Sequence, residues 1–187
     1  FGDYYGAWRA LEELYGEGKL RSIGISNFYP DRMVDLCSFS RIRPMVNQVE
    51  THPHNQQTEA QKWMQKYGVQ IEAWAPFGEG RGGLFTDGTI AKIDATYERT
   101  DAQIILRWEL QRGIVVIPKS VHMERMIENF NVFDFALSDE EMAIMATLDK
   151  KQSSFFSHTD PNMVEWFVQM VEQRKSNHDH SKDKKKW

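Results

Sequence analysis

The chain has 187 residues, 41% of them hydrophobic and 12% aromatic, which suits one folded domain with a sizeable core. Its 23 Lys and Arg against 27 Asp and Glu leave a net charge of −4, which excludes an overall basic footprint for nucleic acid. The single cysteine, Cys37, excludes an internal disulfide and fits a reducing cytoplasm.

Apolar segments are too short to suggest a membrane protein. No uninterrupted run approaches the ~20 residues that a spanning helix needs, and no signal peptide is evident. The first residue is Phe1 rather than Met, so we expect a fragment, or a partly observed product, of something longer.

Four short apolar segments alternate with longer amphipathic ones, which predicts alternating strands and helices. In chain order we predict a helix at 2–17, a strand at 21–28, a helix at 30–39, a strand at 44–53, a helix at 58–68, a strand at 69–77, a helix at 100–113, a strand at 114–120, and helices near 123–130 and at 138–148. Capping boxes are predicted at three helix starts, by Thr58 with Gln61, Thr100 with Gln103, and Ser138 with Glu141.

This alternation predicts an α/β fold with a parallel sheet covered by helices. The pattern leaves two architectures open, a doubly wound sheet or part of an eight-stranded barrel. In both, ligands bind at the carboxyl ends of the strands. Polar or aromatic residues follow or end each predicted strand: Ser26, Asn27, Gln48, Trp74 to Phe77, Lys119 and Ser120.

The stretch "GIVVIPKSVHMERMIENF" (113–130) sets four branched aliphatic residues, predicted to form a strand buried on both faces, before a charged helix. Lys119 ends the strand, and Arg125, Glu128 and Asn129 share one helical face. Two cations with Ser120 suit a phosphate, and the carboxylate with the amide suits an adenine. The alternative is an ordinary solvated helix face.

"GEGRGG" (78–83) formally matches the glycine pattern of dinucleotide-binding turns, but Thr86, Asp87 and Gly88 follow and prolong the loop. We therefore predict a flexible loop, which in a cofactor-binding protein would act as a lid. His52 and His54 lack a convincing third ligand, so we predict no metal site.

Several segments together resemble the aldo-keto reductases, over about residues 6–168 and in the right order. They are "GKLRSIGISNF", "NQVETHP", "GVQIEAWAPFGEG", "AQIILRWELQRGIVVIPKSVHMERMIENFNVFDFALSDEEM" and "FFSHTDP". The segment with Trp74 is closest to bacterial members.

The resemblance implies a (β/α)8 TIM barrel that binds NADPH without a Rossmann domain. By position, Ser26, Asn27 and Gln48 would hold the nicotinamide carboxamide, and Trp74 would stack on its ring. Ala75, Pro76 and Phe77 would pass near the pyrophosphate. The adenosine 2′-phosphate would be held by Lys119, Ser120, Val121 and Arg125, and the adenine by Glu128 and Asn129.

The same resemblance implies that the chain covers strands five to eight plus C-terminal helices, as one unit at 1–171 followed by a disordered polar tail at 172–187. The family's catalytic Asp, Tyr, Lys and His belong to the other half, so no catalytic residue is predicted here. Tyr4 and Tyr5 lie in the first helix and do not fit the role of the acid.

These implications define the expected function. The full-length parent would be a cytoplasmic NADPH-dependent oxidoreductase that reduces an aldehyde or ketone, with this chain inactive alone. The alternatives are a non-catalytic nucleotide-binding relative, or an inactive truncated product. The expected partners are a small carbonyl substrate and either the missing N-terminal half of the barrel or a second copy of the chain; neither nucleic acid nor a membrane is expected.

Overall fold

The computed structural model describes residues 3–183, with side chains through residue 174. Its helices are α1 (Tyr4–Gly16), α2 (Pro30–Phe39), α3 (Thr58–Tyr67), α4 (Gly88–Tyr97), α5 (Asp101–Gln111), α6 (Met123–Phe130), α7 (Asp139–Ala146) and α8 (Pro161–Asp183). Its strands are β1 (Gly24–Ser26), β2 (Val46–Glu50), β3 (Gln70–Trp74) and β4 (Val115–Val116). All strand pairs are parallel, in the order β1-β2-β3-β4. The predicted α/β fold with a parallel sheet is confirmed.

One face of the sheet is covered by helices and forms the main core. Val49 of β2 and Ile71 of β3 pack with Met33 of α2 and Met64 of α3 in a single buried cluster. A second cluster joins α4, α5 and α7, and a third joins α1 to α2. The helices therefore fix the strands from one side and leave the other face for polar side chains.

The opposite face is polar and open. Side chains alternate along a strand, and the parallel register sets Ser26, Gln48, Glu72 and Val115 side by side across the four strands. The sheet has β1 and β4 at its two edges in the described part of the chain. The described sheet is therefore open, with an unpaired strand side at each edge.

The prediction that 114–117 is buried on both faces is wrong. Ile114 is 1% exposed, but Val115 and Ile117 are 42% and 44% exposed, so burial alternates as on a half-covered strand. The reason is that Val115 lies beside Glu72 on the open face of the sheet, which no element of the described chain covers.

The helix starts confirm two of the three predicted capping boxes. The side chains of Thr100 and Ser138 each accept from a backbone N–H of the first turn, and their own backbone N–H groups donate to the side chains of Gln103 and Glu141. The box predicted at Thr58 is wrong, because the helix is preceded by Gln57 in the left-handed region and has no side-chain cap. Its expected partner Gln61 instead donates to the carbonyl of Arg112 at 2.7 Å, a tertiary contact.

Two helices differ from the predicted elements. Helix α4 begins at Gly88 with the Asp87 carboxylate accepting from the Thr89 N–H, where the sequence predicted further loop. Helix α8 continues to Asp183 through most of the predicted disordered tail; its polar residues include no Gly or Pro that would stop it. Residues 184–187 of that tail lie outside the described residues. In residues 3–183, no helix is both long and apolar enough to cross a membrane.

Candidate functional site

The ends of β1, β2 and β3 bring four predicted residues into one hydrogen-bonded group. The Ser26 hydroxyl donates to the Gln48 carbonyl at 3.1 Å, and the Asn27 amide donates to the Ser26 hydroxyl at 3.1 Å. The Trp74 indole N–H donates to the Asn27 side-chain oxygen at 2.8 Å. The parallel register contributes to this convergence by aligning Ser26 with Gln48.

Asn27 has the backbone conformation that this group requires. Its φ is 57°, in the left-handed region, which asparagine tolerates better than most residues. Its backbone N–H donates to the Gln48 carbonyl at 2.9 Å, which turns the chain away from β1. The side-chain amide of Gln48 meanwhile donates to the Glu72 carboxylate on β3. The polar side chains at this end of the sheet are therefore held in place by hydrogen bonds among themselves.

After β3 the chain turns sharply through Ala75, Pro76 and Phe77. Ala75 has φ 49°, and its carbonyl accepts from the Gly78 N–H at 2.7 Å. The Phe77 ring lies 5.6 Å from that of Phe85, which sequence reasoning did not single out. This turn directs the chain from the group around Asn27 and Trp74 toward a second cleft.

That second cleft has a volume of about 570 Å³ and contains every residue predicted for the adenosine end. The predicted residues on its wall are Lys119, Ser120, Val121, Arg125, Glu128 and Asn129. Phe77 also lines it, with Glu79 and Gly80 of the glycine-rich loop that the sequence predicted as a lid. The sequence did not single out Phe85, Ala102 and His122, which complete the cleft.

Two carboxylates, Glu79 and Glu128, line this cleft together with the two cations but form no ion pair with them. In residues 3–174, neither Lys119 nor Arg125 has an acidic partner within ion-pair distance. Ser120 accepts a hydrogen bond from the His122 N–H at 3.1 Å just before α6 begins. The cleft therefore presents two unpaired positive charges beside a hydroxyl, an arrangement suited to an anion.

The glycine-rich loop 78–83 contains one short turn, Gly78–Gly80, and a second, Leu84–Thr86, follows it. No α-helix begins inside its glycines. This agrees with the prediction of a loop rather than a dinucleotide-binding turn. The Arg81 guanidinium lies 4.6 Å from the centre of the Phe155 ring, which joins the loop to the C-terminal segment.

The C-terminal segment 153–158 closes over Trp74. The Phe155 ring lies 5.0 Å from Trp74, and the His158 ring lies 6.4 Å from it. The Glu50 carboxylate anchors this segment by accepting from the Ser154 N–H at 2.7 Å. No local sequence pattern predicts this anchor, because Glu50 and Ser154 are far apart in the chain.

Glu50 is ionised although it is 1% exposed. Burial alone would raise the pKa of Glu50, but hydrogen bonds from His52, Ser153 and the Ser154 N–H outweigh it and hold the pKa below its ordinary value. The His52 Nε2 lies 2.9 Å from the Glu50 Oε1. Because the His54 N–H donates to the His52 Nδ1 at 3.2 Å, the Nε2 carries the proton.

The two histidines thus belong to a buried hydrogen-bond network. The His54 Nδ1 lies 3.2 Å from the Lys150 ammonium, and burial lowers the pKa of His54. Within the part of the chain that the structure describes, no group of three or more His, Cys, Asp or Glu side chains is arranged to hold a metal ion.

Comparison with known proteins agrees with this geometry. The profile of the Aldo/keto reductase family matches residues 3–150. The uncharacterized oxidoreductase YtbE of Bacillus subtilis is 48% identical over 141 residues, which are 75% of this chain and 50% of the relative. Glyoxal reductase from the same bacterium is 44% identical over 149 residues, 80% of this chain and 53% of the relative.

The fold of this chain is also similar to that of solved aldo-keto reductases. A solved Bombyx mori aldo-keto reductase in complex with NADP matches with a TM-score of 0.78 at 33% identity, over 83% of this chain and 53% of that one. The chain spans about half the length of the curated relatives it matches. Since the family profile covers most of the sequence and the sheet matches a solved member, this chain belongs to the aldo/keto reductase family.

Proposed function

We propose that this chain forms the carboxyl half, strands five to eight, of a (β/α)8 barrel in an NADPH-dependent aldo-keto reductase. Family membership, the four parallel strands and the half-length match support this assignment. The observation that carries the proposal is the cleft lined by α6 and the segment before it, where Lys119 and Arg125 have no acidic ion-pair partners among the described side chains.

A ribose 2′-phosphate fits this cleft by charge and by donor chemistry. The Arg125 guanidinium offers a planar set of donors, and the Lys119 ammonium offers a compact charge. The Ser120 hydroxyl and the backbone at Val121 stand in the same wall. NADPH carries this phosphate and NADH does not, so the proposed clamp distinguishes the two cofactors.

The remaining cleft residues suit the base. A carboxylate such as Glu128 accepts from an adenine amino group, and an amide such as Asn129 both donates and accepts. Phe85 and Phe77 supply apolar surface on the opposite wall. In the proposed pose the pyrophosphate passes along Ala75 to Phe77 and the glycine-rich loop, between the two clusters.

At the other end, Ser26, Asn27 and Gln48 would orient the nicotinamide carboxamide beside Trp74. The hydrogen bond from its indole N–H to Asn27 fixes the plane of the Trp74 ring, which prepares it for stacking. Bound there, the reduced nicotinamide supplies a hydride to a carbonyl carbon. Phe155, packed on Trp74, contributes a wall that excludes water from this end.

The proton for the carbonyl oxygen has no evident donor in the described chain. Tyr4 and Tyr5 both donate to the Asp35 carboxylate. The hydrogen bond to Asp35, with burial, raises the pKa of Tyr5, which is the wrong direction for a general acid. We therefore propose that the catalytic acid belongs to the other half of the barrel. Carbonyl reduction by the purified 187-residue chain would contradict this point.

An exposed apolar surface supports a partner that completes the barrel. Five side chains on and around α6 are between 64% and 77% exposed: Val121, Met123, Ile127, Phe130 and Phe133. Contiguous apolar surface of this kind marks an interface. The proposed occupant is the other half of the barrel, with a second copy of the chain as the alternative. The molar mass in solution, measured by light scattering, distinguishes a dimer from a monomer.

The substrate is proposed only by class. A relative at 44% identity is a glyoxal reductase, which supports a small aldehyde or ketone as the substrate of the full-length parent. The buried thiol of the single cysteine is compatible with the reducing cytoplasm that we propose as its location.

The test is a double variant, Lys119→Ala with Arg125→Ala, titrated with NADP⁺ and NAD⁺ by calorimetry. A charge-assisted hydrogen bond contributes about 1.5–3 kcal/mol, so NADP⁺ affinity should fall by at least about tenfold for each cation removed. NAD⁺ affinity should change little. The matched control removes two exposed cations elsewhere, Arg32→Ala on α2 with Lys92→Ala on α4. Equal losses in both variants would refute the phosphate assignment.

A further inference from the structure

Helix α6 carries three of the cleft residues, yet hydrophobic burial does not hold it in place. None of its residues is buried. Its apolar side chains point outward, with Met123 and Ile127 68% and 64% exposed. Within the described chain, contacts other than core packing therefore fix the direction in which Arg125, Glu128 and Asn129 face.

Polar bonds from the first turn of α5 supply that constraint. The Thr100 hydroxyl donates to the Glu128 carboxylate at 2.5 Å. The Gln103 side-chain amide donates to the Glu128 carbonyl at 3.3 Å and to the Asn131 carbonyl at 2.7 Å. Arg107, one turn further on, donates to the Val132 carbonyl at 3.3 Å. These hydrogen bonds connect α5 to the last turn of α6 and to the residues directly after it.

The same two side chains form the capping box of α5. The Gln103 side-chain oxygen accepts from the Thr100 N–H at 3.1 Å, and the Thr100 hydroxyl accepts from the Gln103 N–H at 3.3 Å. Each side chain thus uses its acceptor to start α5 and its donor to hold α6. Gln103 is 5% exposed, so water cannot readily replace its donated bonds.

A comparison with α7 separates the two roles. There the capping box is Ser138 with Glu141, and the glutamate at the third position has no amide to donate. A glutamate serves a capping box as well as a glutamine does. A glutamine at position 103 is therefore needed for the contacts with α6 and not for the helix start.

We infer that the capping box of α5 is the positioning device of the cofactor cleft, with Gln103 and Thr100 setting the orientation of α6. Neither residue has to touch the cofactor. Thr100 holds the Glu128 carboxylate directly. Gln103 holds the backbone carbonyls of Glu128 and Asn131, which lie on either side of Asn129. This inference rests on the proposed cofactor function.

The decisive variant is Gln103→Glu, because it keeps the capping box and removes the donor. The new carboxylate would face the carbonyls of Glu128 and Asn131, so α6 should loosen. We expect NADP⁺ to bind about tenfold more weakly in calorimetry. Amide hydrogen exchange over 123–131 should quicken in the absence of cofactor, while exchange over 104–111 in α5 stays unchanged.

Two further variants keep the test decisive if Gln103→Glu does not fold. Thr100→Asp retains an N-cap acceptor but sets a negative charge against Glu128, so it should weaken NADP⁺ binding similarly. Thr100→Ser keeps both hydroxyl bonds and should bind as the unmodified chain does. The matched control Ser138→Ala removes a cap at α7 and should lower stability without changing NADP⁺ affinity.

The outcomes separate this inference from the proposed function. If the unmodified chain does not bind NADP⁺, the proposed function fails, and hydrogen exchange in α6 still tests the positioning role. If it does bind, and Gln103→Glu or Thr100→Asp binds with unchanged affinity and unchanged exchange in α6, the positioning role is wrong. A loss of affinity equal to that of Ser138→Ala would also overturn it.

Discussion

Replacing Glu109 on α5 by glutamine should change how the stability of this protein depends on pH. Glu109 is 0% exposed, and neither of its carboxylate oxygens has a hydrogen-bond partner among the described residues. Burial raises the pKa of Glu109 well above its ordinary value of 4.5, and the nearby charge of Arg112 only partly opposes this. Glu109 is therefore protonated in the folded chain at mildly acidic pH.

The sign of the effect follows from proton linkage. The unfolded chain loses the Glu109 proton above pH 4.5, whereas the folded chain keeps it up to the raised pKa. Unfolding thus releases a proton in that window, and the free energy of unfolding falls as pH rises. Where the unfolded chain has lost this proton and the folded chain has kept it, the slope from this one group is at most about 1.4 kcal/mol per pH unit.

The assay is urea unfolding at pH 5 and pH 6, followed by tryptophan fluorescence, for the unmodified chain and for Glu109→Gln. The difference between the two cancels the contribution of other groups, such as Asp101, whose pKa burial and Asp94 raise to about 6. The substituted amide does not titrate and adds only a pH-independent offset. The variant should therefore gain stability relative to the unmodified chain over this interval, by at most about 1.4 kcal/mol. Parallel stability changes in the two proteins would refute the reasoning.

Two other predictions concern positions where the structure leaves little freedom. Gly24→Ala would place a Cβ 2.8 Å from the Val46 carbonyl oxygen, so unfolding should become easier by about 1–3 kcal/mol. The control Gly16→Ala meets nothing within 4 Å and should be neutral or slightly stabilising; equal effects would contradict the clash. Glu50→Gln removes the charge that accepts from Ser153 and Ser154, so hydrogen exchange over 153–158 should quicken. Because the pKa of Glu50 is lowered in the fold, the unmodified chain should lose this contribution as pH falls through the acidic range, and the variant should not.

The sequence predicted those parts of the site that depend on local geometry. Parallel strands bring their carboxyl ends to one edge, so the strand assignment predicted that Ser26, Asn27, Gln48 and Trp74 lie near one another, although not the left-handed backbone of Asn27. The charged face of α6 followed from helical spacing in the same way. Both features depend on residues close in sequence or aligned by the register.

Features set by distant contacts were not predictable. Glu50 anchors Ser153, which lies 103 residues further along the chain, and no local pattern links them. Gln61 looked like a capping residue but is committed to the Arg112 carbonyl. Helix α4 was missed because Asp87 and Gly88 are as typical of loops as of a helix start, and its buried Ile90 and Ile93 signal a core only after folding.

The most direct test of the central claim is the affinity of the unmodified 187-residue chain for NADP⁺ and for NAD⁺, measured side by side by calorimetry at one ionic strength. Two cations directed at the 2′-phosphate predict that NADP⁺ binds more tightly by about a hundredfold. The preference should shrink as salt is added, because the cleft is open to solvent. Equal affinities for the two cofactors would contradict the account.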